Sequence, residues 1–430
     1  MAEQNVEILT KIVLEKLMRK QLTGISRVTE RDIINNLRNL ADITIAVTER
    51  CNLNCSYCVY GGLYETDPLR NNRDLNEEAI RKLFNFLSDY WQDRVKGSII
   101  SIAFYGGEPL LNMKLVKHTV EYLFMTFPNF KFTFRITSNG LLLNKYMDFL
   151  VEKSFKLLIS LDGNRFHNSH RVTQNGKESF DIVVKNVDKL KEVYPDYFEK
   201  YVSFNAVLHN RNNAIEVLDF IKNKYGKKPK LSPLATDGIN KENGTIFNSI
   251  LNKNSILPGE YKSFKDEEEF VNSSIGKNIR QLLSTIGMNY HDYSSLIYSN
   301  SRNEFHTGSC TPLRKLFLSA DGKILPCANV SHRYVLADVH ELNKIDILAI
   351  ADKHNDLINR FYNSVCQKCA SITICHTCIY SRDWTGDGEV GHCRHLTNIN
   401  QLISEQNMIS RYLASYPDAY FRLFNFFNNG

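Results

Sequence analysis

Three cysteines fall within eight residues, Cys51-Asn52-Leu53-Asn54-Cys55-Ser56-Tyr57-Cys58, spaced Cys-x3-Cys-x2-Cys. Thiolates bind iron in iron–sulfur clusters, and a cubane cluster takes one ligand per iron. Three thiolates hold three irons and leave the fourth open to a small molecule. A zinc site would want a fourth ligand close by, usually in a Cys-x2-Cys pair, and none follows Cys58. A disulfide needs an oxidising compartment. The first residues, Met1-Ala2-Glu3-Gln4-Asn5, carry no basic and apolar signal segment.

Seven further cysteines stand at 310, 327, 366, 369, 375, 378 and 393, with none between Cys58 and Cys310. Disulfide scaffolds are short and cysteine-dense, so clustering in a long chain points to metal binding. The second set reads Cys310-x11-Gly322-x4-Cys327, then Cys366-x2-Cys369-x5-Cys375-x2-Cys378, then Cys393. A four-thiolate zinc knuckle on Cys366, Cys369, Cys375 and Cys378 is the alternative. It would leave Cys310, Cys327 and Cys393 without a purpose.

The elements that must position these thiols follow a βα rhythm from Asp42. Ile43, Ile45 and Val47 alternate as a strand and lead into the first cysteines. Helices are expected at 76–91, 114–125, 145–152, 180–193 and 214–224. They alternate with strands at 98–104, 131–136, 155–159, 201–207 and, as a short edge strand between Pro229 and Pro233, 230–234. Alternation of this kind implies a parallel sheet with right-handed crossovers. The expected fold is α/β, an incomplete (β/α)6 barrel whose chemistry sits in the loops after the strands. Gly106-Gly107-Glu108, Ser138-Asn139 and Ser160-Leu161-Asp162 fall at those positions.

Outside the barrel, residues 1–41 read as a helical extension. Its amphipathic helix at 6–20 carries Val6, Leu9, Ile12, Val13 and Leu17, and a second helix at 30–40 is capped by Thr29. The barrel is expected over 42–235, a connecting segment with helix near 277–285 over 236–305, the second cysteine domain over 306–400, and a helical tail over 401–430.

Cys51, Cys55 and Cys58, with the aromatic Tyr57 before the third cysteine, resemble the signature of the radical S-adenosylmethionine (SAM) superfamily. That resemblance implies a 4Fe–4S cluster on the three thiolates with SAM at the open iron. It places Tyr57 near the adenine and Gly106-Gly107-Glu108 at the SAM amino group. Ser138, Asn139, Ser160 and Asp162 are candidates for the ribose and the pocket rim, and Arg171 for the SAM carboxylate; turn-forming or surface roles are the alternatives. The implied reaction starts with one electron passed to SAM, and a 5′-deoxyadenosyl radical then removes hydrogen from an unactivated C–H bond.

The second cysteine set resembles the SPASM domain, apart from one residue missing before Cys378. By that resemblance Cys310, Cys327 and Cys378 serve a first auxiliary 4Fe–4S cluster and Cys366, Cys369, Cys375 and Cys393 a second. Two cubanes need eight ligands and this set offers seven; His306, His376 and His392 are candidates for the eighth. Barrel plus SPASM resembles sulfatase maturases, quinohemoprotein-type maturases and maturases of ribosomally made peptides. Sulfatase maturases carry an Asp base after the cysteine matching Cys327 and usually Gln before Gly-Gly-Glu; here those positions are Ala328 and Tyr105. Peptide cross-linking, through a thioether or a C–C bond, is the expected activity. Sulfatase-maturase-like oxidation of a protein Cys or Ser is the alternative. A non-enzymatic iron–sulfur or zinc protein is a further reading from a different class. The expected partners are a precursor peptide and a flavodoxin- or ferredoxin-type electron donor.

Composition agrees with a large apolar core: 43% of the 430 residues are hydrophobic. No run approaches the ~20 apolar residues that span a bilayer. The net charge of +6 suits a mixed-charge surface, and no nucleic-acid partner is expected. The expected compartment is the cytoplasm.

Overall fold

The computed structural model describes residues 24–64, 71–235, 239–251, 304–305, 311–328, 330–370, 372, 378–381, 393, 396–404, 407 and 411. The expected helices at 6–20 and 277–285 lie outside them. So do Cys310, Cys375, His306, His376, His392 and most of the tail.

Two compact units divide the chain. One comprises residues 28–255 and 310–352, and it contains a nine-stranded sheet. Its strands are β2 (Asp42–Thr48), β3 (Ile99–Gly106), β4 (Lys131–Ser138), β5 (Lys156–Ser160), β6 (Val202–Leu208), β7 (Lys230–Pro233), β9 (Leu316–Leu318), β10 (Lys323–Leu325) and β11 (Ala337–Asp338). β2 to β7 pair in order and in parallel. On its other edge β2 meets β9 rather than β7, with Ile43 opposite Leu316. The six-strand sheet is therefore open, a partial barrel. Residues 310–352, which share the second cysteine set in sequence, belong to the same compact unit as the barrel strands.

The helices of this unit are α1 (Glu30–Arg38), α2 (Glu77–Trp91), α3 (Met113–Thr126), α4 (Leu143–Glu152), α5 (Phe180–Val193), α6 (Pro195–Tyr201), α7 (Ala214–Tyr225) and α8 (Gly244–Ile250). Their starts are written in the sequence. Thr29 and Asp32 form a reciprocal capping box on α1. Asn76 and Asn213 cap α2 and α7 through side-chain oxygens. Each crossover helix turns an apolar face to the sheet. Ile80, Leu83, Phe84, Leu87 and Trp91 of α2 join one core with Ile43, Ile45 and Val47 of β2 and with Phe104 and Phe134. Val47 and Thr48 are both fully buried although they point to opposite faces, as in a strand covered on both sides.

The β9–β10 hairpin, unforeseen from sequence, explains Gly322 in the second cysteine pattern. Gly322 occupies the turn with φ +83°, a conformation glycine adopts without steric cost. Ser319 closes the turn by donating its N–H to Lys323 O at 2.9 Å. Cys327 follows β10 after Pro326.

The other unit comprises residues 1–27, 256–309 and 353–430. In it β1 (Gly24–Ile25) pairs in parallel with β8 (Glu304–Phe305). Helix α9 (Ile347–Ser364) starts in the first unit, whose core takes in Ile347, Ile350 and Ala351, and leads to a short helical turn at Cys366–Lys368.

Candidate functional site

The loop 49–58 leaves the C-terminal end of β2, and Gly106-Gly107-Glu108 leaves the end of β3. Backbone bonds tie the two together: Gly107 N–H donates to Thr48 O and Glu108 N–H to Arg50 O, both at 2.9 Å. A Cβ on Gly106 would lie 2.2 Å from Thr48 O, and one on Gly107 2.2 Å from Arg50 O. Only glycine permits this approach, and Gly106 also holds φ +126°. The contact that requires these glycines is thus between the cysteine loop and the end of β3.

Glu108 is buried and fully engaged. Its oxygens accept from Leu110 N, Ser138 Oγ and Asn139 N at 3.1, 2.9 and 2.7 Å. Burial pushes its carboxyl up to about 7, against these three bonds, which lower it. Ser138 Oγ also accepts from Gly140 N. Asn139 donates Nδ2–H to Asn52 Oδ1 at 2.7 Å and to Cys51 Sγ at 3.8 Å. Leu53 N–H reaches the same sulfur at 3.5 Å. Ser160, half-buried, closes β5 opposite Asn205 of β6.

Asp162, Arg171 and Tyr57 form one buried group. Arg171 grips Asp162 with two hydrogen bonds of 2.9 Å. Tyr57 Oη donates to Asp162, and Val207 N donates to it at 2.9 Å. Burial alone would raise the Asp162 carboxyl. The Arg171 charge and bonds from His209, Arg171 and Tyr57 outweigh it and hold the carboxyl well below its usual range. The guanidinium also lies over the Tyr57 ring, 5.5 Å from its centroid, and Tyr57 stacks on His209 at 5.5 Å.

The three thiols are half-buried. Burial pushes the Cys55 thiol up to about 12; Arg171 opposes this, while Cys58, Cys51 and Asp162 add to it. Such a site resists filling with bare thiolates, and bound cations reverse that electrostatic penalty. Among the described residues, no three His, Cys, Asp or Glu side chains converge on one ion position. Three thiols on one loop, with N–H groups at Cys51 Sγ and the Arg171 charge near Cys55, are a donor set that fits an iron–sulfur cluster.

Several residues that brace this loop were not singled out from sequence. His170 bridges Ser56 and Asn210, Gln174 bonds the carbonyls of Cys51 and Leu53, and Asn52 meets Asn139. No periodicity or motif marks them, because each acts across a long sequence gap. Helix α8, within the expected connecting segment, packs Phe247 and Ile250 into a cluster with Tyr57, Leu63 and Tyr64.

Of the second set, Cys327 is half-buried after β10. In the other unit Cys366 is buried, and Cys369 N donates to Cys366 O at 2.9 Å. Thr397 N donates to Cys369 Sγ at 3.5 Å and Leu396 N to Cys393 O at 2.9 Å. The Cys366–Cys369 turn is thus stitched to the segment after Cys393. Cys378, half-buried, precedes a short helical turn at Ile379–Ser381.

Residues 45–223 match the radical SAM superfamily. The chain is 23% identical over 295 residues to the radical SAM cyclopropyl synthase TigE of Paramaledivibacter caminithermalis, covering 64% of this chain and 60% of that protein. It thus spans less than two thirds of that relative. It is 22% identical over 360 residues to a cysteine-type anaerobic sulfatase-maturating enzyme of Clostridium perfringens, covering 79% and 89%. The fold is similar to that of native anSMEcpe with bound AdoMet and Kp18Cys peptide, with TM-score 0.55, 20% identity, and 91% and 99% of the two chains covered.

Proposed function

We infer, from the radical SAM domain this chain carries over residues 45–223, that the protein is a maturase of ribosomally made peptides. It takes hydrogen from an unactivated C–H bond of a precursor peptide and installs a cross-link, a Cys thioether or a C–C bond. The observation that carries the reading is the joint of β2 and β3, where the cysteine loop is pinned to Gly106-Gly107-Glu108 by Gly107 N–Thr48 O and Glu108 N–Arg50 O.

Cys51, Cys55 and Cys58 would hold the 4Fe–4S cluster, and SAM at its open iron would supply the one-electron chemistry that removes a hydrogen from carbon. The chain's own part is to shape and shield that site. Asn139 and Leu53 aim N–H groups at Cys51 Sγ, which favours the thiolate. Arg171 places a fixed positive charge near Cys55, and Asp162 keeps that charge in position. Tyr57, Tyr64 and Phe247 supply an apolar wall that limits water. The SAM contacts proposed are Tyr57, Gly106, Gly107, Glu108, Ser138, Asn139, Ser160, Asp162 and Arg171.

Cys310, Cys327 and Cys378 would hold one auxiliary 4Fe–4S cluster, and Cys366, Cys369, Cys375 and Cys393 another. Both proposed products are two-electron oxidations, and auxiliary clusters suit that stoichiometry. A flavodoxin- or ferredoxin-type donor in the cytoplasm would supply electrons. No described helix is long and apolar enough to cross a membrane. A relative that is a cyclopropyl synthase lends weight to carbon–carbon bond formation.

Sulfatase-maturase-like oxidation of a Cys or Ser is the second reading, favoured by the 89% coverage of such an enzyme. Ala328 stands against it, since it offers no base after Cys327. Anaerobic co-expression with each short reading frame beside the gene separates the two. Mass spectrometry should show loss of two hydrogens per cross-link with no new carbonyl; Cys oxidation to an aldehyde exchanges the sulfur for oxygen, and Ser oxidation, which also loses two hydrogens, leaves an aldehyde that a hydrazide probe traps. Unchanged masses for every neighbouring peptide would reject peptide cross-linking.

A further inference from the structure

The segment after the Asp162 loop returns along the cysteine loop and holds it from outside. Ser56 N donates to His170 O at 3.2 Å and Asn54 N to Val172 O at 2.7 Å. Leu53 and Thr173 form an antiparallel bridge. The segment is itself braced as a tight hairpin. Thr173 N donates to Lys177 O and Gly176 N to Thr173 O, and Gly176 takes the turn at φ +75°.

Two side chains complete the hold. Asn210 donates its amide to Ser249 O at 2.8 Å, so its oxygen faces His170 Nε2, also at 2.8 Å. His170 Nε2 therefore carries the proton, and Nδ1 accepts from Ser56 Oγ at 2.6 Å. Gln174 Nε2 lies 2.9 Å from Cys51 O and 3.0 Å from Leu53 O. Both partners only accept, so the amide nitrogen must face them, with one N–H to each carbonyl.

We propose that residues 170–174 are a clasp that shapes the cysteine loop for its cluster, with Gln174 as the positioning residue for Cys51. The two carbonyls flank Asn52, and fixing them fixes the backbone from which the Cys51 side chain leaves. Those bonds are independent of any metal, so the clasp acts before iron arrives and again when iron threatens to leave. Gln174 is exposed, so replacing it removes no core packing. The assignment rests on the cluster reading of Cys51, Cys55 and Cys58.

The test uses the full chain, with Gln174→Ala and Gln174→Glu beside the parent, kept anaerobic. Iron-loaded protein is challenged with EDTA, and alkylation of Cys51, Cys55 and Cys58 by iodoacetamide is followed by peptide mass spectrometry. The iron-free chains are alkylated in parallel. Both variants should melt with the parent yet expose Cys51 roughly three- to tenfold faster, the scale of about one net hydrogen bond, because water takes up part of what this exposed amide gives the two carbonyls. Glu is nearly isosteric with Gln but only accepts, so it should be at least as harmful as Ala. Parent-like rates in both variants would overturn the clasp. So would a parent-like Glu variant beside an impaired Ala variant, which would assign the role to side-chain volume. A fall in melting temperature matching the faster alkylation would reduce the effect to general destabilisation and also overturn it. Loss of the underlying cluster reading looks different: iron would then fail to protect the three thiols even in the parent, and the iron-free series alone would decide the clasp.

Discussion

At the scale of single residues, two buried carboxylates behave in opposite ways. Asp162 is held ionised by Arg171, and neither is exposed to water. Asp162→Asn leaves a buried guanidinium without its counter-charge, which costs on the order of 3–5 kcal/mol. Glu178→Gln, which loosens the exposed pair with Arg165, should cost less than about 1 kcal/mol. Denaturant midpoints of the two variants test that contrast, and equal losses would contradict it. Among the described residues no cation lowers the Glu108 carboxyl, and burial lifts it to about 7. The folded state then binds a proton more tightly than the unfolded chain. Its contribution is present below about 4.5, the ordinary value, and is lost as pH rises toward 7. A shift of that size corresponds to about 3 kcal/mol. The stability of the parent relative to Glu108→Gln should therefore fall by that amount between pH 4.5 and 8. A pH-independent difference in urea titrations would show that Glu108 is ionised throughout.

At the scale of elements, the end of β3 lies so close to the cysteine loop that side chains do not fit between them. Gly106→Ala and Gly107→Ala each force a methyl group to within 2.2 Å of a carbonyl oxygen. Both should lower iron uptake sharply on reconstitution. Gly97→Ala is the control: it has φ +80° but nothing within 4 Å, so it should cost only the roughly 1–2 kcal/mol of a left-handed residue and keep its iron. Iron per chain after gel filtration reads the difference. How far such elements could be read from sequence depended on how local their causes are. Strands β2 to β7 and the crossover helices were legible because their periodicity is written within one element, as is the Thr29 cap of α1. The hairpin β9–β10 was not, since β9 is only three residues long and gains its place by pairing with Ile43, Thr44 and Ile45 far upstream. That Cys51, Cys55 and Cys58 share one loop after β2 was legible from their spacing and the strand before them. His170, Asn210 and Gln174 were not, because their importance lies in partners more than thirty residues away.

At the scale of the whole molecule, the described cysteines belong to segments held by different means. The first set is braced by β-strand ends and a hairpin, whereas Cys366, Cys369 and Cys393 are stitched by backbone bonds to residues 396–397. Separate scaffolding should give separable loss. If three cubanes are present, the anaerobically loaded parent carries about twelve irons, four per cluster. Alanine at Cys51, Cys55 and Cys58 should remove about four and abolish reductive SAM cleavage. Alanine at Cys366, Cys369 and Cys393 should also remove about four, but 5′-deoxyadenosine formation without peptide should persist, because the barrel loop and its braces are untouched. Iron and sulfide analysis with chromatographic assay of 5′-deoxyadenosine measures both arms. A parent holding zinc in the second set, or about four irons in all, would reduce the C-terminal cysteines to a structural knuckle. Loss of SAM cleavage in the second variant, with its melting temperature unchanged, would mean that the two cysteine sets are functionally coupled.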